Sequence, residues 1–131
     1  MRQLDLDHKK EILEKLTKCE DVDNSALHFK LLRALGDELL QDISFDDLIR
    51  FLNALANKKR LMIISILKEK DRCVCELEAV LDESQPSISH HLKILESAGL
   101  IKGWKKGKFT HYDIVKENMT SYLEFLDQKL I

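Results

Sequence analysis

The sequence predicts a mainly α-helical fold with one small β hairpin. Three observations carry that expectation. Apolar residues recur at helical spacing through most of the 131 residues. The single proline, Pro86, stands just behind Ser84, where a helix can begin without losing a bond. From Leu100 to Ile114 the period shortens to β-like runs broken at Lys105-Lys106-Gly107-Lys108, with Gly107 suited to a turn. A hydrophobic content of 44% is enough for one modest core. The expected division is a helical extension over residues 1–45 and a second domain over 46–131.

Taken in order, Asp7 is placed to cap a first helix reaching about Cys19, with Ile12, Leu13 and Leu16 as its stripe and Lys15 and Lys18 near its end. The polar link Glu20-Asp21-Val22-Asp23-Asn24 follows. Ser25 is read as the cap of a second helix carrying Leu27, Leu31, Leu35 and Leu39. Up to Arg50 there are twelve acids and eight bases, a net −4 that makes this part a poor ligand for nucleic acid and suits packing on the second domain or on a partner subunit. Ser44 is the expected cap of the next helix, with Asp46 and Asp47 in its first turn and Leu48, Leu52 and Leu55 buried. That helix breaks near Asn57. Lys58, Lys59 and Arg60 open another, either as phosphate contacts or as a solvated face, and its Leu61, Ile63, Ile64, Ile66 and Leu67 read as fully buried. A last helix from about Lys116 carries Met119, Tyr122, Leu123, Leu126 and Leu130.

The stretch from Cys73 to Asp113 holds the chemistry. A short helix opens on Cys73-Val74-Cys75-Glu76-Leu77, turns at Asp82-Glu83-Ser84, and gives way to a helix from Gln85 to Ala98 that Gly99 ends. Ile88, Leu92 and Leu95 form the buried stripe of that second helix. Ser87 and His90 point nearly the opposite way with Lys93 beside them, and Gln85 and Ser89 lie near its start. Short polar side chains at a helix start, able to donate and accept, are what reading base edges in a major groove requires. Lys102, Lys105, Lys106 and Lys108 in the hairpin are mobile charges suited to phosphate oxygens. Between Ser84 and Tyr112 stand five lysines against one acid, Glu96, while the whole chain is net −2. Contact with double-stranded DNA would therefore come from this local basic face.

Three cysteines without an apolar leader read as reduced thiols rather than a disulfide framework. The start Met1-Arg2-Gln3-Leu4-Asp5 leads into no apolar segment, and no run of eighteen apolar residues exists, so a cytoplasmic chain outside the membrane is expected. On an ideal helix residues two apart point about 200° away from one another. Cys73 and Cys75 meet at one ion only if the first turn is extended or distorted. A helix N-terminus lowers a thiol's pKa and favours the thiolate that metals need. Two soft thiolates suit copper(I), and a third, for which Cys19 is the candidate, would suit cadmium, lead, arsenic or antimony. Redox sensing and simple packing of small buried side chains are the other readings of the pair. His90 is the histidine read as facing DNA; His91 lies on the flank, His111 is read as structural, and His8 and His28 as exposed helix residues.

From about Leu48 to Leu130 the chain resembles the ArsR/SmtB family of winged-helix transcriptional repressors. The resemblance rests on Leu55-Ala56-Asn57-Lys58-Lys59-Arg60-Leu61, on Cys73-Val74-Cys75-Glu76-Leu77, on the run Ser84-Gln85-Pro86-Ser87-Ile88-Ser89-His90-His91-Leu92-Lys93-Ile94-Leu95, and on a wing ending Tyr112-Asp113-Ile114. It implies a winged helix-turn-helix whose terminal helices pair two subunits about a two-fold axis. Two recognition helices would then lie about 34 Å apart on a pseudo-palindromic operator. Arsenic-responsive members with a continuous motif resemble Cys-Val-Cys plus a further cysteine three positions on, where this chain has Glu78. Members sensing cadmium or lead resemble the present arrangement, with N-terminal thiols, usually two, joining the pair, often across the dimer; here only Cys19 is available. A family zinc site on the C-terminal helix uses Asp and His, and no histidine lies between Val115 and Ile131.

The expected function is thus a homodimeric, sequence-specific repressor with no catalytic role. It would use Gln85, Ser87, Ser89, His90, Lys93, Lys105, Lys106 and Lys108 on DNA, with a soft metal or metalloid at Cys73 and Cys75, joined by Cys19, lowering operator affinity. The competing expectations are a thiol-redox or effector-independent DNA-binding regulator, and a thiol metal buffer that never meets DNA. No Gly-rich phosphate loop and no serine or cysteine with an evident base partner is present to support catalysis.

Overall fold

A computed structural model describes residues 3–19 and 23–131 of the chain. They form two compact units, Met1–Ile43 and Ser44–Ile131. In the first, α1 (Leu6–Thr17) packs on α2 (Ser25–Gln41), with Phe29 buried and the Lys9 ammonium 5.7 Å from its ring centroid. Both caps fall one position or more before the residues expected. Asp5, not Asp7, accepts the Asp7 N–H, and Asn24, not Ser25, accepts the Leu27 N–H at 3.1 Å. In each case the cap must stand outside the helix with extended backbone, and the expected residue is already inside the first turn. Of the polar link expected over 20–24, residues 20–22 lie outside the described residues.

The second unit contains α3 (Ile43–Leu55, its first residue counted with the first unit), α4 (Lys58–Glu69), β1 (Arg72–Cys73), α5 (Val74–Leu81), α6 (Gln85–Ser97), β2 (Ile101–Lys106), β3 (Phe109–Ile114) and α7 (Lys116–Leu130). Ser44 is within α3 and does not cap it. The buried side of α3 is Leu48, Phe51 and Ala54; Leu52 is 42% exposed, because the large Phe51 ring turns the helix to stack on Tyr122 of α7 with ring centroids 4.8 Å apart. The break near Asn57 becomes a cap, with the Asn57 side chain accepting the Lys59 and Arg60 N–H groups at 2.9 and 3.2 Å. Only Ile63 and Leu67 of α4 are buried, and Leu61 is half exposed. A helix packed by one face buries residues four apart, so an apolar stretch interrupted only by Ser65 does not show depth of burial.

The three strands form an antiparallel sheet in the order β1-β3-β2, with Cys73 opposite His111 and Trp104 opposite the same His111. Gly107 and Lys108 connect β2 to β3, the glycine at φ +67°. Asp82 closes α5 in the left-handed region at φ +50°, a conformation that aspartate tolerates better than most residues. Ile88, Leu92 and Leu95 of α6 are buried in the core that α4, α5 and the start of β2 also line. Each such side chain contributes about 1.5–3 kcal/mol by leaving water, which presses α6 down by one face and leaves its polar face outward.

Candidate nucleic-acid interface and thiol site

The outward face of α6 begins at Ser84, whose hydroxyl accepts the Ser87 N–H at 3.3 Å. Gln85 and Ser89 are joined on the exposed side, amide to hydroxyl, at 3.2 Å. His90 and Lys93 are exposed. Ser87 is placed differently: its hydroxyl lies 3.0 Å from the Glu83 carboxylate, which is held in turn by Lys59 at 3.4 Å. Those two contacts keep the Glu83 carboxyl below its usual range, Ser87 having the larger effect. Lys59 also donates to the Leu81 carbonyl at 3.2 Å, bolting the first turn of α4 onto the end of α5.

Arg60 is similarly engaged. It donates to the Ala54 and Asn53 carbonyls at 2.6 and 3.2 Å, and its third contact is His91 Nδ1 at 3.3 Å. A guanidinium only donates, so His91 Nδ1 accepts and the ring is neutral with its proton on Nε2. Burial, then the neighbouring Arg60, lower the His91 pKa. Of the basic triplet, two members thus brace the helix pair and the recognition helix from behind. Sequence reasoning missed these links because Leu81, Glu83 and His91 are far from Lys59 and Arg60 in the chain, and the Arg60 bonds to Ala54 and Asn53 cross the break between two helices.

Lys105 and Lys106 on β2 and Lys108 in the turn are exposed, as is Lys102. The hairpin also presents Trp104 and Phe109, 38% and 56% exposed. These aromatics were not singled out from the sequence, although their interleaving with lysines in Trp104-Lys105-Lys106-Gly107-Lys108-Phe109 is the signal that marks them. His111 is held by Asp71 at 2.9 Å.

Cys73 and Cys75 converge, their sulfurs 2.6 Å apart. The geometry has a simple origin. Cys73 is not on the helix: it lies in β1 with extended backbone, φ −84° and ψ 165°, and serves as the cap of α5. The 200° divergence of an ideal helix therefore does not apply. The Glu76 amide faces the Cys73 sulfur while the Glu76 carboxylate accepts the Cys73 N–H at 3.1 Å, a reciprocal capping box with sulfur in the place of a hydroxyl. Arg72 binds the same carboxylate at 2.8 Å, and together these contacts hold the Glu76 pKa at about 2, Arg72 first among them.

One expectation is overturned here. The contact with Cys75 and, after it, burial push the Cys73 thiol up; the amide at the helix start opposes them and is outweighed. Cys73 is buried and Cys75 exposed, so Cys75 is the solvent-facing member of the pair. The donor set fits a thiophilic ion that accepts two sulfurs. Cys19 is exposed after α1, its thiol 3.5 Å from the Lys15 carbonyl. Among the described residues no three His, Cys, Asp or Glu side chains gather as a metal site within one chain.

The sequence model of the bacterial regulatory proteins of the arsR family matches residues 57–102, from the cap of α4 to the first residues of β2. A transcriptional repressor SmtB homologue of Synechocystis is 30% identical over 106 residues, covering 80% of either chain. The chain belongs to the ArsR family. Its members are transcriptional regulators and not enzymes, and the winged helix-turn-helix is their DNA-binding unit. The arsenical resistance operon repressor of Escherichia coli is 45% identical over 65 residues, 49% of this chain and 56% of that one. Among solved structures, a homodimeric winged helix-turn-helix DNA-binding domain of Mycobacterium bovis, a possible ArsR-family regulator, superposes with a TM-score of 0.55 at 27% identity, covering 66% of this chain and 78% of that one. No described helix of this ArsR-family chain is long and apolar enough to cross a membrane.

Proposed function

We propose that this ArsR-family regulator is a cytoplasmic homodimeric repressor whose hold on operator DNA weakens when a soft metal or metalloid binds Cys73 and Cys75. The observation that carries the reading is the shared sheet: the thiol pair straddles the end of β1, and β1 is paired to β3, one strand of the lysine-bearing wing. Drawing the sulfurs onto an ion strains the cap of α5, the helix that supports α6, and pulls the wing through β3. Gln85, Ser89, His90 and Lys93 read or approach the groove, Lys105, Lys106 and Lys108 meet phosphates, and Ser87 acts through Glu83. Exposed apolar residues on α3 and α7, Ile49, Leu52, Leu123, Phe125 and Leu130, supply material for a two-fold interface of the kind its homodimeric relative has.

Copper(I) accepts two thiolates; cadmium, lead, arsenic or antimony would draw a third from Cys19 of either subunit. A relative that represses arsenical resistance supports the metalloid choice. The 2.6 Å approach also favours a redox reading, in which a peroxide oxidises one thiol and the other displaces water to close a disulfide. The raised Cys73 pKa acts against both readings alike, because the thiolate is the form that reacts with peroxide and the form that binds metal; an ion that binds there displaces the Cys73 proton.

Linkage makes the proposal testable. A coupling of about 1–3 kcal/mol is enough for regulation, and operator DNA must weaken metal affinity by the same factor that metal weakens DNA affinity. Thiolate-to-metal charge-transfer absorption titrated with Cd(II), Pb(II), Cu(I) and As(III), with and without duplex, measures it. Equal metal affinity in both would end the regulatory claim, and Cys19→Ser should raise the dissociation constant only for three-coordinate ions.

A further inference from the structure

A cleft of about 610 Å³ opens between the C-terminal half of α3 and the flank of α6. Arg50, Asn53 and Arg60 line one side, His90, Lys93 and Ser97 the other, and no acid among the described residues lines it. Outside the cleft Asp47 lies 3.8 Å from Arg50, an exposed pair one turn apart that solvent screens, and Glu96 lies on the wing side beside Lys93 and Ser97. The floor is rigid, because Arg60 is tied to two α3 carbonyls and to His91.

The two flanks of α6 differ in what they face. Ser89 and Glu96 look toward Tyr112 of β3, the side of the wing, while Lys93 and Ser97 lie between the two flanks and border both clefts. His90 and Ile94 look toward α3. A helix seated in a major groove about 12 Å wide has a phosphate ridge on either side. The wing lysines can reach only the ridge on their own side, so the other ridge meets the α3 flank.

We infer that this cleft is a second phosphodiester clamp, in which Arg50 together with His90 and Lys93 holds the DNA backbone on the side of the recognition helix away from the wing. The inference rests on the DNA-binding reading above and adds α3 to the DNA-facing surface. Arg50 is the new contact, a planar donor matched to two phosphate oxygens. Arg60 is a positioning residue: its Nε, Nη1 and Nη2 each hold a partner on α3 or His91, and it keeps the cleft open.

The test uses the full chain and a duplex carrying its operator, with the dissociation constant measured across a salt series. Each lost phosphate contact lowers the log–log slope by about one unit. Arg50→Ala is expected to lower it by about one, Arg50→Lys to restore it, and Lys105→Ala to lower it independently, so that the double variant loses about two. If the unaltered protein shows no salt-dependent duplex binding, the DNA-binding reading itself falls. If it does, and Lys105→Ala lowers the slope while Arg50→Ala does not, the clamp alone is overturned. A parallel titration with inorganic phosphate separates the sources of the anion. Saturable binding abolished by Arg50→Ala, with an unchanged duplex slope, would assign the cleft to a free phosphate and overturn the backbone clamp.

Discussion

Cys73 and His111 lie directly opposite one another in the antiparallel pair of β1 and β3, and Trp104 of β2 faces His111 from the other side. Side chains directly opposed in such a ladder share a face of the sheet, so one row runs from the thiol to the wing. The His111 and Trp104 rings are 6.2 Å apart, and Asp71 fixes the histidine in place.

Trp104 is the only tryptophan in the chain, which turns the row into an optical reporter. Binding of a thiophilic ion at Cys73 and Cys75 is expected to change Trp104 emission at the same stoichiometry as the charge-transfer band. Cys73→Ser should remove both signals. His111→Ala should keep the charge-transfer band and lose most of the emission change; an undiminished change in that variant would show that the row is not the route.

Acid should weaken the fold in two stages of the same sign. His91 has a folded pKa below its ordinary 6.5, so the stability linked to its neutral ring is complete above 6.5 and declines as pH falls from there. Protonation would set an imidazolium against Arg60. The Glu76 carboxyl, ordinarily near 4.5 and held at about 2, contributes stability above 4.5 that is lost as pH falls toward 2. Chemical denaturation at pH 7.5, 5.5 and 3 checks both. Glu76→Gln should lower stability at neutral pH and flatten only the lower stage.

At Gly103 a side chain would crowd Tyr112. A Cβ built there would stand 2.7 Å from Cε1 of Tyr112, whose ring lies across the glycine and whose hydroxyl pKa is raised by burial. Gly103→Ala is expected to cost about 1–3 kcal/mol, read by denaturant midpoint, and Tyr112→Leu in the same chain should recover part of it. A neutral Gly103→Ala would mean that the ring moves freely.

The recognition helix was legible because its information is local: Ser84, Pro86 and the Ile88-Leu92-Leu95 stripe act within thirteen residues. The wing was legible for the same reason, through Gly107. What the sequence concealed depends on distant partners. Cys73 leaves the helix because a two-residue strand pairs it with His111, and no pattern around residue 73 announces that pairing. Ser87 donates to Glu83 from inside the helix, and Lys59, on another helix, holds that carboxylate, a link that a helical wheel does not show. The turn of α3 that buries Phe51 in place of Leu52 follows from Tyr122, seventy-one positions downstream.

β2 runs along the open edge of the sheet, its outer amides and carbonyls free of any strand among the described residues. Such an edge invites a strand from another molecule, and lysines along it are a common deterrent. Lys102, Lys105 and Lys106 therefore guard the protein against self-association, a role separate from the phosphate contacts proposed for Lys105 and Lys106. Stripping several at once should produce material that precipitates, so charge on this strand is better removed one residue at a time.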